Sequence, residues 1–310
     1  MIKIHRTTES GLETVEHPTK GCWIDVTDPS TEEARDLAQD FNIPLRFITA
    51  VSDPHEIPRI EKADEALFIL MRIPHYQSAA ASIPYRTLPL DLVVTDEWVM
   101  TICRYKHELL GDLPPEHQSD LSTAKPARFV LHLLWSAANS YIQHLNKLNE
   151  TVDKIEERLQ QSLQNREVLD LLRYQKSLVH FLTGLRENEL MLEWLQKSGF
   201  LEMERNDRDL LESVFTENRQ AIAASQIASD ILSQMMDAFA SIISNNLNVV
   251  MKFLTSAAVI LVVPTIIGTF YGMNVRLPLE DHPLAFLILV GLSILSSFII
   301  GLILWRRGWL

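Results

Sequence analysis

The 310-residue chain has little cysteine and a deficit of positive charge. Only Cys22 and Cys103 are present. Two isolated cysteines supply neither a disulfide framework nor metal-ligand spacing, so we expect two buried, reduced thiols. Lys and Arg number 28 against 40 Asp and Glu, which gives a formal net charge of -12. This acidic balance argues against nucleic acid as a partner.

The motifs of common enzyme classes are also missing. His55-Glu56 has no second histidine at ligand spacing, and no glycine-rich phosphate loop follows a strand. We therefore expect neither an enzyme nor a resident cofactor. Residues 1–9 lack a basic stretch followed by an apolar core, so we expect no cleavable signal peptide.

Two long apolar stretches are concentrated at the C-terminus, over residues 253–270 and 284–304, and neither contains a charged side chain. About 18 such residues are enough to cross a bilayer core as a helix. The loop between them opens with Tyr271-Gly272-Met273-Asn274. The sequence thus predicts a membrane protein with two C-terminal spans in a lipid bilayer.

The distribution of basic residues predicts the orientation of these spans. Lys252 precedes the first span, and Arg306 and Arg307 follow the second. The intervening loop carries one basic and two acidic side chains, Arg276, Glu280 and Asp281. Because Lys and Arg collect on the cytoplasmic side, we expect a multi-pass protein of the cytoplasmic (inner) membrane with both termini inside.

Residues 1–122 read as a cytoplasmic α/β domain. Ser30 followed by Glu33 is a capping-box signal for a helix through about Phe41. β-branched and aromatic residues predict strands over 22–26, 66–73, 88–95 and 97–104, with Thr95-Asp96 as a hairpin turn.

Residues 123–250 read as a cytoplasmic helical region and stalk, and 251–310 as a transmembrane hairpin. Apolar residues recur at three- and four-residue steps, and glycine is limited to Gly184 and Gly199 before the membrane. Three helices are predicted, over 123–163, 166–197 and 206–271. The third would continue into the first span and be on the order of 100 Å long. The predicted fold class is α+β.

One stripe along this third helix suggests a role. Six positions lie within about a third of the helix circumference: Asp237, Asn248, Met251, Leu254, Val262 and Thr265. The stripe is polar at its cytoplasmic end, apolar in the middle and polar again near Thr265. Polar rings for a hydrated ion and apolar rings that close by dewetting would serve a pore between identical chains. An ordinary seam between helices with a few tolerated polar residues is the alternative.

The loop that follows the first span predicts the outer mouth of such a pore. Gly272 can adopt the left-handed conformation that ends a helix. Asn274 would then project a neutral amide oxygen, which can accept hydrogen bonds from the tightly held waters of Mg²⁺. The alternative is that Gly272 and Asn274 merely cap a membrane helix.

Taken together, these segments resemble the CorA family of magnesium channels. The likeness includes 271–274 after a long stalk, 248–255 at the membrane entrance, Pro264 and Thr265 within the span, and the tail 305–310. In the soluble part, 23–26, 53–61 and 67–74 resemble early and central family strands. Several independent segments occur in the family's order.

The resemblance implies a homopentamer that admits Mg²⁺, with Co²⁺ and Ni²⁺ as further hydrated divalent cargo. It implies that Gly272, Met273 and Asn274 form the selectivity mouth and that Thr265 forms a second polar ring. Met251, Leu254 and Val262 would line the gate, and Asn248 and Asp237 the cytoplasmic entrance.

Two departures from the family pattern bear on regulation and entry. The external loop replaces the usual Met-Pro-Glu-Leu stretch: Arg276 adds a positive charge, while Glu280 would keep the acidic role. The usual sensor aspartate, through which Mg²⁺ acts as a regulator, falls on Ser213. Four other carboxylates are candidate sensors: Asp91, Asp96, Asp209 and Glu212.

Two alternative functions remain open on the sequence. One is a transporter of another divalent metal such as Zn²⁺ with the same architecture. The other is a non-conducting oligomeric membrane scaffold.

Overall fold

The computed structural model describes residues 1–8, 11–63, 65–107, 109–111, 113–161, 165–274 and 282–309. The contacts within the chain divide it into two compact units, Met1–Gln234 and Met235–Leu310. The first contains a sheet and the helices packed on it, and the second contains the predicted spans.

The first unit is built on a seven-stranded sheet. Its strands are β1 (Ile2–Thr8), β2 (Gly11–Val15), β3 (Cys22–Thr27), β4 (Arg59–Ala63), β5 (Ala66–Tyr76), β6 (Tyr85–Val94) and β7 (Trp98–Cys103). They lie in the order β2-β1-β3-β7-β6-β5-β4. β3 and β7 pair in parallel, whereas the other neighbouring strands pair antiparallel. The predicted strands are all present, and β1, β2 and β4 are additions to them.

Seven helices accompany the described strands. They are α1 (Thr31–Asp40), α2 (Leu45–Ala50), α3 (Pro115–Asp120), α4 (Pro126–Gln161), α5 (Asn165–Ser198), α6 (Arg205–Tyr271) and α7 (Ala285–Arg306). The three long predicted helices correspond to α4, α5 and α6 with bounds that differ by three residues or fewer. The α+β fold class is therefore confirmed.

Two local motifs form as the sequence predicts. At the start of α1 the Ser30 hydroxyl accepts from the backbone N–H of Glu33 at 3.2 Å, and the Glu33 carboxylate accepts from the Ser30 N–H at 2.8 Å. Between β6 and β7 the Thr95 hydroxyl accepts from the Trp98 N–H at 3.1 Å and donates to the Trp98 carbonyl at 2.9 Å. These bonds satisfy backbone groups that a helix start and a turn would otherwise leave unpaired.

Helices cover both faces of the sheet. One apolar cluster joins β5 and β6 to α4, α5 and the start of α6, with Phe129, Leu134 and Leu195 among its members. The other joins β3 and β7 to α1 and α2, with Phe47 stacked on Phe68. Both cysteines are free thiols buried in these clusters, as expected.

A buried ionic network ties the start of α6 to α4. The Arg128 guanidinium donates to Asp207 at 2.8 Å and to Asp120 at 2.7 Å. Asp207 also accepts from the backbone N–H of Glu204 at 2.9 Å. Asp207 is 3% exposed, so its charge depends on Arg128 for compensation.

Candidate functional site

The six-residue stripe lies on α6 and is uncovered in the single chain. Each of its members, Asp237, Asn248, Met251, Leu254, Val262 and Thr265, is exposed. α6 remains helical throughout this range, so the positions stay on one side as predicted. That this stripe lines a pore stays a prediction.

The second apolar helix packs against the opposite side of α6. The Ser256 hydroxyl is fully buried and lies 3.4 Å from the Trp309 carbonyl oxygen. A Cβ at Gly301 would be 3.6 Å from the Ile260 side chain. At about 100° per residue, Ser256 and Ile260 lie roughly 160° around the helix from the middle of the stripe. α7 therefore leaves the stripe free to meet other chains.

A proline within α6 leaves one backbone carbonyl without a helical partner, and a side chain of α7 supplies the missing donor. Pro264 has no N–H, so the carbonyl of Ile260, four residues earlier, loses its helical partner. The Ser297 hydroxyl of α7 lies 3.3 Å from that carbonyl oxygen and donates to it. In a membrane, a freed backbone carbonyl needs such a partner because the lipid offers none. The role of Ser297 was not predicted from the sequence, although Pro264 inside a predicted span indicated that a carbonyl would need a partner.

Two threonines on the stripe side of α6 direct their hydroxyl protons into the helix. Thr265 donates to the Leu261 carbonyl at 2.9 Å, and Thr269 donates to the Thr265 carbonyl at 2.7 Å. Both residues are exposed. Thr269 lies one turn beyond Thr265, about 40° around the helix, and extends the stripe. Thr269 was not predicted from the sequence, although its four-residue spacing from Thr265 was the available signal.

The predicted mouth follows the end of α6. The N–H of Gly272 donates to the carbonyls of Gly268 at 3.0 Å and Thr269 at 3.2 Å, which tightens the last turn. The expected left-handed conformation of Gly272 is wrong: its φ is not positive. Continuation of helical hydrogen bonding to Gly268 explains the difference, because it closes the helix without reversing the backbone.

The rest of the mouth is described only as far as Asn274. Met273 and Asn274 are both exposed. The N–H of Met273 donates to the Phe270 carbonyl at 3.3 Å. The external-loop predictions, Arg276, Glu280 and Asp281, lie outside the described residues.

The four candidate sensor carboxylates are located in different settings. Asp96 lies exposed at the β6–β7 turn, and Asp209 and Glu212 are exposed on the first turns of α6. Asp91 is 1% exposed on β6, and neither of its carboxylate oxygens has a hydrogen-bond partner. Burial raises the pKa of Asp91 to about 8, partly opposed by Arg59. Asp91 therefore carries a proton near neutral pH and is a poor metal ligand in this position.

Metal-ligating side chains are not clustered within the described parts of the chain. Within those ranges, no three His, Cys, Asp or Glu side chains are grouped so that they could hold a metal ion. Ser213 is half-buried on α6 next to the exposed Glu212. The sensing role of Asp96, Asp209 and Glu212 stays a prediction.

The fold and the stripe together define a class of protein. α6 and α7 are long and apolar enough to cross a membrane. They follow an N-terminal α/β unit, and α6 presents an uncovered polar and apolar stripe opposite its contact with α7. This combination is typical of membrane transport proteins that have a soluble N-terminal domain.

Comparisons with known proteins identify the family. Residues 19–307 match the family model described as CorA-like Mg2+ transporter protein. The chain is 29% identical over 298 residues to the Cobalt/magnesium transport protein CorA of Methanocaldococcus jannaschii, covering 93% of this chain and 91% of that protein. It is 23% identical over 260 residues to the protein of the same name from Thermotoga maritima, covering 81% and 72%.

A solved structure agrees with this assignment. The complete structure of the CorA magnesium transporter from Methanocaldococcus jannaschii matches with a TM-score of 0.84 and 25% identity, covering 100% of this chain and 99% of that one. The chain belongs to the CorA-like Mg²⁺ transporter family. It is thus a transport protein of the inner membrane with two C-terminal spans, and not an enzyme.

Proposed function

We propose that this chain forms a homopentameric channel through which Mg²⁺, and also Co²⁺ or Ni²⁺, enters the cell. The observation that carries the proposal is the uncovered stripe on α6, opposite the contacts of Ser256 and Ile260 with α7 and the residues that follow it. Copies of α6 arranged around an axis would bring their stripes together. The family relationship supports divalent metal as the cargo.

The ion keeps its waters as it passes the outer half of the pore. Mg²⁺ dehydrates reluctantly, so neutral oxygens that accept hydrogen bonds from its waters suit it better than carboxylates that bind it directly. The Asn274 amide supplies such an oxygen at the mouth. Thr265 and Thr269 have already donated their hydroxyl protons within α6, so each oxygen faces the path as an acceptor.

The inner half of the path contains the gate. Met251, Leu254 and Val262 form apolar rings that exclude water when they close together, and a hydrated ion cannot pass a dry constriction. At the cytoplasmic end, Asn248 and Asp237 make the path polar again. The driving force is the membrane potential, which favours entry of a doubly charged ion by about 4.6 kcal/mol per 100 mV.

Ion flux into proteoliposomes tests the proposal. Purified protein would be offered Mg²⁺, Co²⁺, Ni²⁺ and Zn²⁺ separately, under an inside-negative potential. We expect Mg²⁺ uptake that falls at least tenfold in Asn274→Ala. Uptake of Zn²⁺ alone would establish the transporter of another metal, and absence of flux for every ion would establish the scaffold.

A matched pair of asparagines tests the stripe itself. Asn248 lies on the stripe, whereas Asn246 is also exposed but about 160° away around the same helix. Asn248→Ala should change Mg²⁺ flux and Asn246→Ala should not. Equal effects of the two variants would contradict the assignment of this face to the pore, and the mass of the purified assembly would decide the subunit number.

A further inference from the structure

A cleft of about 380 Å³ in the first unit is lined by an unusual concentration of basic side chains. It lies between the sheet and α5, in Met1–Gln234, and contains none of the residues of the proposed ion path. We call it the basic cleft and define it by five basic residues and one acidic residue, His55, Arg72, Arg86, Arg104, His180 and Glu187.

Arg72 forms a rigid wall of the basic cleft. It is 8% exposed, and its guanidinium donates to the carbonyls of Glu56 at 2.8 Å and Pro54 at 2.7 Å and to the Thr87 hydroxyl at 2.9 Å. These bonds use neutral acceptors, so they fix the position of the charge without cancelling it.

Arg86 and Arg104 carry charges that no ion pair compensates within the described part of the chain. Among the described residues, no carboxylate oxygen lies within 4 Å of either guanidinium. The Nε–H of Arg86 is buried and has no hydrogen-bond partner. A buried donor without an acceptor costs on the order of 1–3 kcal/mol, which a movement of the Arg86 side chain toward a bound acceptor would recover.

Glu187 does not neutralise the basic cleft. Its nearer carboxylate oxygen is 3.9 Å from the Nε of Arg72 and forms no hydrogen bond. The three arginines and Glu187 therefore give the cleft a formal net charge of +2 with histidine counted as neutral, in a chain whose formal charge on the same basis is -12. The pKa of His180 is lowered by burial and then by the positive charges of Arg86, Arg72 and His55. The surroundings of His180 thus have a positive potential.

We propose that the basic cleft binds the phosphate group of a soluble anion. The planar donor fork of arginine matches the oxygens of phosphate, and neither Arg86 nor Arg104 is paired with a carboxylate among the described residues. The volume is in the range of small-molecule sites. Tyr105, which is 40% exposed at the edge of the cleft, adds an aromatic ring on which a base can stack.

Calorimetric titration of the full-length protein in detergent tests this proposal. The probes are inorganic phosphate, pyrophosphate and ATP in buffer free of divalent metal and of other polyanions. We expect saturable binding of pyrophosphate, weakened tenfold or more in Arg86→Gln, since loss of one charge-assisted hydrogen bond is worth about one power of ten in affinity. Tighter binding of ATP than of pyrophosphate would identify a nucleotide as the source of the phosphate, and equal binding would identify the phosphate groups alone.

Two further variants protect the test from misfolding and from general charge effects. Arg104→Gln changes an exposed side chain of the same cleft and should also weaken binding. Arg219→Gln removes the same charge from an ion pair between α6 and α5, outside the cleft, and should leave binding unchanged. No binding of any probe at millimolar concentration, or equal weakening by Arg219→Gln, would overturn the proposal.

Discussion

The hydroxyl of Ser297 donates to the backbone carbonyl of Ile260 across the two spanning helices, at 3.3 Å. This carbonyl is the one that Pro264 deprives of its helical partner. The proline in one span and the serine in the other therefore act as a pair, and the bond fixes how α7 meets α6. A second contact of this kind joins the Ser256 hydroxyl to the carbonyl of Trp309, just beyond the C-terminal end of α7.

Removal of the Ser297 hydroxyl should destabilise the spanning unit in a way that depends on Pro264. Ser297→Ala is expected to lower the free energy of unfolding by about 1 kcal/mol, because the Ile260 carbonyl loses its partner. In Pro264→Ala the helix supplies an N–H to that carbonyl, so the same change should cost less than half as much. Unfolding in detergent micelles, over the four variants of this cycle, measures the coupling.

Ser296 provides the control for this cycle. Its hydroxyl donates at 3.0 Å to the Ser293 carbonyl within its own helix, so Ser296→Ala should show no coupling to Pro264. An equal cost of Ser297→Ala with and without Pro264 would show that the pairing has no energetic role.

A polar substitution in the apolar part of the stripe should hold the gate open. Leu254→Asn is expected to raise resting Mg²⁺ flux severalfold, because an amide keeps water in a constriction that otherwise dries. Flux into proteoliposomes is the measurement. Leu287→Asn on α7, where the leucine is similarly exposed, is the matched control and should leave resting flux unchanged. Reduced flux in Leu254→Asn would contradict an apolar gate at this residue.

Loss of Arg128 should destabilise the first unit strongly. Arg128→Met leaves the buried carboxylate of Asp207 without a compensating positive charge, at an expected cost of about 3 kcal/mol in the free energy of unfolding. Arg219→Met breaks an exposed pair with Glu189 and should cost less than about 1 kcal/mol. Denaturant unfolding followed by circular dichroism compares the two. Similar costs would show that burial of the Arg128 network adds little.

The buried Asp91 predicts an unusual dependence of stability on pH. Burial raises its folded-state pKa to about 8, whereas an unfolded aspartate titrates near 3.9. Between these values the folded state holds the extra proton, so Asp91 lowers stability progressively as pH rises from about 4 to about 8. Asp91→Asn, which is neutral at every pH, should therefore stabilise the protein most at pH 8 and least near pH 4. Thermal unfolding across this range measures the difference, and a constant difference would place the pKa of Asp91 near its ordinary value.

The parts of the fold that local chemistry controls could be predicted from the sequence. The capping box at Ser30 and the turn at Thr95 each involve residues three apart, and both form. The shared face of the stripe residues could be predicted because α6 is one continuous helix, which fixes the angular positions from Asp237 to Thr265. By contrast, β4 reads Arg-Ile-Glu-Lys-Ala, with little strand signal of its own, and is defined by its pairing with β5.

Long-range contacts account for what the sequence did not reveal. The parallel pairing of β3 with β7 joins Cys22 to Trp98, 76 positions apart, and no local pattern specifies it. The bond between Ser297 and Ile260 likewise depends on which side of α6 faces α7. The alternation of polar and apolar residues around Asp91 indicates a strand. Only the packed sheet shows that the Asp91 carboxylate is buried without a hydrogen-bond partner.

Thr265 and Thr269 donate their hydroxyl protons within the helix, and this allows the two side chains to distinguish cations from anions. Water around a dissolved cation points its hydrogens outward, and those hydrogens find lone pairs on both threonine oxygens. Water around chloride points hydrogens toward the ion and offers its oxygens outward, where these threonines have no proton left to give. A surface of this type favours cations over anions without using any fixed charge.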